Sequence, residues 1–243
     1  SPPINKKTIE DIEDGIWYFS ARFSNSQGFG QIAHFPLKVD TTPPPQFTVT
    51  ADNGDDPTNP SPVLNLNATD ATSGIAQYEI KIGNEESFAV LRDEVKNGKY
   101  KIPPQEPGTH EILVKAVDRA GNFTPATVTV TIESIDAPTI VDYPKRISQG
   151  DQLIIRGISY PNVTVYVYIE KNVKKTAAVA SKELAATIVS SGKTKTDENG
   201  NFEYIELQDL DRSVYSVFAV AEDERGARSE KSDQVVVSVS PPL

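Results

Sequence analysis

Cysteine is absent from this 243-residue chain, and so is methionine. Without thiols there are no disulfides, thiolate metal sites, iron–sulfur clusters or thiol nucleophiles. Without methionine there is no initiator residue, which predicts a processed chain or a cut fragment. Long apolar runs are missing as well, so the sequence offers no membrane span and no signal peptide. Basic charge is scarce: 24 Lys and Arg stand against 34 Asp and Glu, a net −10. Phosphate binding needs a basic surface, which excludes nucleic acid as the main partner. Only two histidines occur, His34 and His110, each isolated in or beside a candidate strand. A structural place is expected for both, ahead of a ligand or base role. No G-x-S-x-G elbow, P-loop or dinucleotide fingerprint is present.

Proline, by contrast, is abundant, at 18 residues. That is above the usual share of roughly 5% and predicts many chain breaks. A repeat gives these breaks their meaning. Gly15 to Gly28 reads GIWYFSARFSNSQG, Gly108 to Gly121 reads GTHEILVKAVDRAG, and Ser213 to Gly226 reads SVYSVFAVAEDERG. Each copy is an apolar-rich stretch that ends in Asn or Asp three positions before a Gly. Alternation predicts a strand, with Ile112, Val114 and Ala116 on one face and Tyr215, Val217, Ala219 and Ala221 on the equivalent one. The Asx side chain can bond the turn backbone, and Gly supplies positive φ.

The closing glycines, Gly28, Gly121 and Gly226, recur at a spacing of about 100 residues, the size of an immunoglobulin-type sandwich. Solenoid repeats are far shorter, so each repeat marks a complete domain. A junction follows each copy: Asp40 to Pro45 (DTTPPP), Ile135 to Pro138 (IDAP), and the terminal Ser240 to Leu243. Proline cannot donate to a sheet ladder, so it stops one sheet before the next begins. The expected architecture is all-β: tandem immunoglobulin-like β-sandwiches in an elongated array, the first one incomplete. Residues 1–40 are expected to be the C-terminal remnant of a module, 41–137 a full domain and 138–243 another. On this reading Trp17, Phe19 and Phe23 are partly exposed, packed on the next domain or covered by another chain.

Strands are expected in the middle module at Phe47 to Thr50, Val63 to Ala68, Ile75 to Ile82, Phe88 to Leu91 and Tyr100 to Ile102, before the repeat strand and a closing strand. The third module offers Leu153 to Ile158, Val163 to Glu170 and, after an Asp197 to Asn201 turn, Phe202 to Leu207. Lys171 to Thr187 reads as a ragged hairpin, with a short helix as the alternative. The middle module carries −7 of the net charge, which favours solubility and repulsion between neighbours.

The turn Ala116 to Asn122 (AVDRAGN), the junction Asp40 to Pro44 (DTTPP) and the segment Asp70 to Ile82 (DATSGIAQYEIKI) resemble bacterial Ig-like and fibronectin-III-like repeats. The third module, with Gly157, Asn162 and the DENGN turn, resembles a second Ig-like subtype found in the same proteins. The resemblance implies spacer or stalk modules of large secreted or cell-surface proteins, adhesins and scaffoldins among them. It therefore implies an extracellular or surface location, and a role in supporting adhesion or the display of another module.

No catalytic residue is assigned. Glycosidases need two carboxylates held across a cleft, and small sandwiches on short linkers offer little cleft. Calcium is the ligand that the composition suggests. Asp52, Asp55 and Asp56 cluster in one loop, Asp197, Glu198 and Asn199 in a turn, and Asp40 and Asp136 sit at the junctions. Oxygen-rich junction loops can hold Ca²⁺ and stiffen a rod, although Asx-rich turns are ordinarily structural and no EF-hand pattern is present. Lys171, Lys174, Lys175 and Lys182 form a basic patch. Tyr166 and Tyr168 share an outward strand face, near Tyr160, which suggests a carbohydrate- or protein-binding accessory module as the alternative function. Partners on these readings are a surface protein, a polysaccharide, or another copy joined through the truncated N-terminal module.

Overall fold

A computed structural model describes residues 8–172 and 187–241. It is all-β, with one single-turn 3₁₀ segment at Arg92–Glu94. The chain divides into two compact units. One takes the chain up to Asp52 together with Val63–Lys101 and His110–Val130. The other takes Asn53–Pro62, Ile102–Thr109 and the chain from Thr131 onward.

The first unit opens with a ribbon. Strands β1 (Gly15–Ala21) and β4 (Ala33–Val39) pair antiparallel, with the short β2 (Ser24–Asn25) and β3 (Gly28–Phe29) at its tip. Next come β5 (Val49–Asp52), β6 (Val63–Leu66), β7 (Ile75–Ile82), β8 (Phe88–Leu91) and β9 (Lys99–Lys101), then β10 (Gly108–Asp118) and β11 (Phe123–Ile132). These seven strands form two sheets, β5-β6-β9 and β11-β10-β7-β8. The alternation seen in the sequence does the packing. Tyr78, Ile80 and Ile82 on β7 and Ile112, Val114 and Ala116 on β10 are all buried, as are Leu64 and Leu66 on β6. Each such Leu or Ile contributes about 1.5–3 kcal/mol by leaving water. The Tyr78 hydroxyl donates to the Leu66 carbonyl at 3.2 Å, one sheet bonding the other. Pro125 sits in β11, at the edge of its sheet, where its missing N–H costs no ladder bond.

The second unit carries β12 (Thr139–Asp142), β13 (Arg146–Ser148), β14 (Leu153–Ile158), β15 (Thr164–Lys171), β16 (Thr187–Lys195), β17 (Asn201–Glu206), β18 (Val214–Glu222) and β19 (Val235–Ser240). They form a three-stranded sheet, β12-β14-β17, and a five-stranded one, β13-β19-β18-β15-β16. The core joins Val165, Val167 and Ile169 on β15 to Tyr215, Val217, Ala219 and Ala221 on β18, with Leu153, Ile155 and Phe202 from the other sheet. Gly157 lies against the Phe202 ring and the Thr139 carbonyl, where a Cβ would overlap both.

Strand bounds match the sequence reading at Ile75–Ile82, Phe88–Leu91 and Leu153–Ile158. Elsewhere the ends move by one or two residues. The first strand of the middle set begins at Val49 instead of Phe47, and β6 ends at Leu66 instead of Ala68. Between Lys171 and Thr187, residues 173–186 lie outside the described residues, and Lys174, Lys175 and Lys182 with them. Lys171 and Thr187 themselves are cross-strand partners, so β15 and β16 are arranged as the arms of a hairpin.

Candidate metal centre

The second and third copies of the repeat end in one turn, built the same way in both. The Asp118 Oδ1 atom accepts the N–H groups of Ala120 and Asn122 at 2.8 and 2.9 Å. The Asp118 N–H returns to the Asn122 carbonyl, and Gly121 donates to the Asp118 carbonyl. Asp223 repeats every one of these bonds with Arg225, Ala227 and Gly226. Asp197 repeats them again with Asn199, Asn201 and Gly200. In the first copy Asn25 Oδ1 accepts from Gln27. Gly28, Gly121 and Gly226 have φ of 124°, 96° and 87°, a region costly to side chains, which accounts for their spacing from the Asx residue. Donation from Asn201 holds the Asp197 carboxyl below the usual range.

At one of these turns the carboxylate has company. Asp118 is 2% exposed. Asp40, immediately after β4, and Asp70, in the turn after β6, join it so that one carboxylate oxygen from each lies within 4.8 Å of the others. Backbone donors place all three. Asp70 Oδ1 accepts N–H from Thr72, Ser73 and Gly74 at 3.2, 2.9 and 2.7 Å. The Ser73 N–H also reaches Asp40 Oδ2 at 3.0 Å, and Thr42 N–H reaches Asp40 Oδ1 at 3.2 Å. The Asn122 amide donates to Asp118 Oδ2 at 2.9 Å and to the Asp40 carbonyl at 3.2 Å. Thus the junction residue Asp40 is bonded to two loops of the sheets that follow it.

Three carboxylates at this separation repel one another by about 3 kcal/mol per pair at an effective dielectric near 20. Their oxygens fit one hard cation: ligands about 2.4 Å from a central Ca²⁺ stand up to about 4.8 Å apart, and Ca²⁺ takes oxygen donors throughout. The later transition metals prefer nitrogen or sulfur, and neither donor is present in this trio.

The junction is tied on its other side as well. Asp14, just before β1, accepts from the Thr41 N–H and hydroxyl at 2.7 and 2.9 Å and from the Thr42 hydroxyl at 2.5 Å. Thr42 first, then Thr41, holds the Asp14 carboxyl below its ordinary value. The Thr124 hydroxyl donates to the Pro44 carbonyl.

Of the seven acidic residues singled out in the sequence, Asp40 alone belongs to a three-carboxylate group among the described residues. Asp56 is bonded by the Thr58 N–H and hydroxyl and paired with Arg225; these bonds, the Thr58 hydroxyl foremost, lower its carboxyl pKa. Asp52 and Asp55 are exposed. Asp136 accepts the Tyr160 hydroxyl at 2.6 Å, which raises the phenol's pKa. The sequence marks Asp118 as a turn residue and Asp70 only as the first residue of the Asp70 to Ile82 segment, and neither as a ligand. The signal for Asp118 is the turn motif itself, since a buried Asx next to a junction Asp concentrates negative charge.

Tyr166 and Tyr168 do share one face of β15, both half-buried. The Arg228 guanidinium lies over the Tyr166 ring at 5.4 Å, and the Tyr166 hydroxyl bonds Glu222 at 3.3 Å. Tyr168 stacks on Phe218 with centroids 5.1 Å apart. Each ring thus has a neighbour. His34 Nδ1 is bonded to its cross-strand partner Ser20 at 2.7 Å.

No family model matches the chain, and no curated protein does. Solved structures that it resembles are fibronectin-III domains and bacterial adhesin repeats. The chicken CNTN1 FN1-FN3 domains share 15% identity at a TM-score of 0.31, over 82% of this chain and 66% of that one. The tetra-tandem repeat in the extending region of a large adhesion protein shares 16% at 0.34, over 92% and 57%. A Ca²⁺-stabilized adhesin that helps an Antarctic bacterium bind ice shares 16% at 0.30, over 93% and 57%. The chain spans less than two thirds of the length of each of these.

Proposed function

We propose that this chain is a non-catalytic run of Ig-like modules from a bacterial surface or secreted protein. It supports adhesion, or the display of another module, by fixing the distance and orientation of what it carries. One observation carries the reading: the junction residue Asp40 is built into the strand-end loops through Ser73 and Asn122, and shares a carboxylate cluster with Asp70 and Asp118. A linker made only to connect has no need of such bonds. With Ca²⁺ held by Asp40, Asp70 and Asp118, repulsion at the joint becomes attraction, and the joint stiffens. Among the described residues no helix is long and apolar enough to cross a membrane.

Calcium titration by calorimetry tests this directly. One site is expected per chain, lost in Asp70→Asn; no heat of binding refutes the calcium joint. The accessory-module reading is separated by a glycan array and cell-wall pulldown. The spacer role predicts no specific retention, whereas retention lost on Tyr166→Ala or Tyr168→Ala would favour the alternative.

A further inference from the structure

The turn of the third repeat copy is basic at a position where the second is neutral. Arg225 stands two residues after Asp223, the place that Ala120 holds after Asp118. Its guanidinium takes Asp223 Oδ2 of its own turn, with Nε at 2.9 Å and Nη2 at 2.8 Å. From there Nη1 reaches Asp56, and Nη2 reaches the Thr58 hydroxyl at 3.2 Å, both in the loop between β5 and β6. Arg228 is built the same way. Its Nε donates to Glu222 Oε2 at 2.8 Å, and its Nη1 to Glu106 Oε1 at 2.6 Å, in the segment between β9 and β10. Backbone bonds flank the two side chains. The Ile135 N–H donates to the Arg228 carbonyl at 3.1 Å, and the Glu133 N–H to the Pro57 carbonyl at 2.8 Å. All of these residues belong to the second compact unit.

We propose that Arg225 and Arg228 form a built-in cationic clamp at the Ile135 to Pro138 junction, so that this joint is fixed without calcium and released by salt. Four carboxylates meet here, on Asp56, Glu106, Glu222 and Asp223, and like charges so placed repel. Two guanidinium groups stand between them, where the Asp40 trio has no cationic side chain bonded to it. Among the described residues these acids form no three-carboxylate group. The other charged residues of segments 53–62, 102–109, 133–138 and 222–233 are acidic except Lys231, and its ammonium lies over the Phe218 ring. An isolated exposed ion pair adds little, because ordering two long side chains offsets the attraction. Here each arginine is already ordered by a carboxylate of its own loop, and Arg228 also by the Tyr166 ring, so the further bond to Asp56 or Glu106 orders less. A planar fork also suits two carboxylates at once, which an ammonium does not. The Asp56 and Glu106 side chains are 43% and 64% exposed, so dissolved salt reaches these bonds. The contrast with the Asp40 junction rests on the calcium reading above; the clamp itself does not.

Because the chain has no cysteine, spin labels attach only where a cysteine is introduced. One label pair, Lys101→Cys with Ser191→Cys, uses exposed positions on β9 and β16; a second, Lys38→Cys with Lys81→Cys, uses exposed positions on β4 and β7. The test is the distance distribution of each pair in the full chain, with chelator and with Ca²⁺. It is read in about 0.1 M and about 1 M NaCl, where the screening length falls from about 10 Å to about 3 Å. The first pair is expected to give one narrow distance at low salt, the same with chelator as with Ca²⁺. That narrow distance is lost at high salt and in Arg225→Gln/Arg228→Gln. It is kept in Arg156→Gln, which removes a fork to Asp142 and Glu203 instead. High salt acts on the parent arginines, so the test does not depend on the double variant folding. A narrow distance that persists at high salt or in the folded double variant overturns the clamp. So does a broad distance at low salt, a distance that needs Ca²⁺, or equal loss in Arg156→Gln. The second pair reads the calcium joint separately: no response to Ca²⁺ there refutes that reading and leaves the clamp standing.

Discussion

The Asn122 side-chain amide donates to Asp118 Oδ2 at 2.9 Å, four residues away, inside a turn whose backbone bonds already occupy the other carboxylate oxygen. The pair closes the turn between β10 and β11, and the same amide holds the Asp40 carbonyl. Asp118→Ala leaves two backbone N–H groups short of an acceptor. A loss of about 1–3 kcal/mol is expected, read as a lower urea midpoint at unchanged slope. Asp223→Ala, at the equivalent turn, is expected to cost a similar amount.

This turn shows how far the sequence could be read. Identical Asx-to-Gly spacing marked the three repeat turns, because the acceptor and the positive-φ glycine must stand three apart for the bonds to close. The strands were legible for a similar reason: the period-two burial of Ile112, Val114 and Ala116 is written in the residues themselves. The carboxylate cluster was only partly legible. Asp40 stood out beside prolines, but its partners come from turns distant in sequence, and only the fold brings Asp70 and Asp118 to it. Counting acids in a loop pointed to Asp52, Asp55 and Asp56, yet Asp56 is taken up by Thr58 and Arg225.

Tyr204 predicts an alkaline limit. Burial first, then its bond to Glu206, pushes the phenol up from 10.0 to about 12. Glu206 is itself 4% exposed and accepts from Ser190 at 2.6 Å and Tyr204 at 3.0 Å. Because the folded state keeps this proton longer than the unfolded one, the contribution is complete below pH 10 and is lost as pH rises toward 12. Urea midpoints measured across that window should fall, and fall less steeply in Tyr204→Phe.

Asp14 predicts an acid-side counterpart at the first junction. Its pKa is lowered by the hydroxyl of Thr42 and by the N–H and hydroxyl of Thr41. The stability it gives is therefore present above the ordinary carboxylate value of 3.8 and lost as pH falls through the lower folded one. Carboxyl NMR should show Asp14 titrating below the exposed aspartates, and Thr41→Ala/Thr42→Ala should return it toward them.

Gly157→Ala tests packing in the second unit. The added methyl overlaps the Phe202 ring and the Thr139 carbonyl, and backbone cannot yield as a flexible side chain does. Overpacking of this kind costs about 1–3 kcal/mol. Thermal unfolding should move down, with Gly157→Ala/Phe202→Leu recovering part of the loss.

The calcium joint is tested most directly by heat-unfolding scans of one sample with excess Ca²⁺ and with chelator. Ligand at about 100 times its dissociation constant adds about 2.7 kcal/mol to the folded state, so the melting temperature should rise with Ca²⁺ and return with chelator, while Asp70→Asn shows neither change. Superimposable scans of the parent protein under the two conditions would contradict the account.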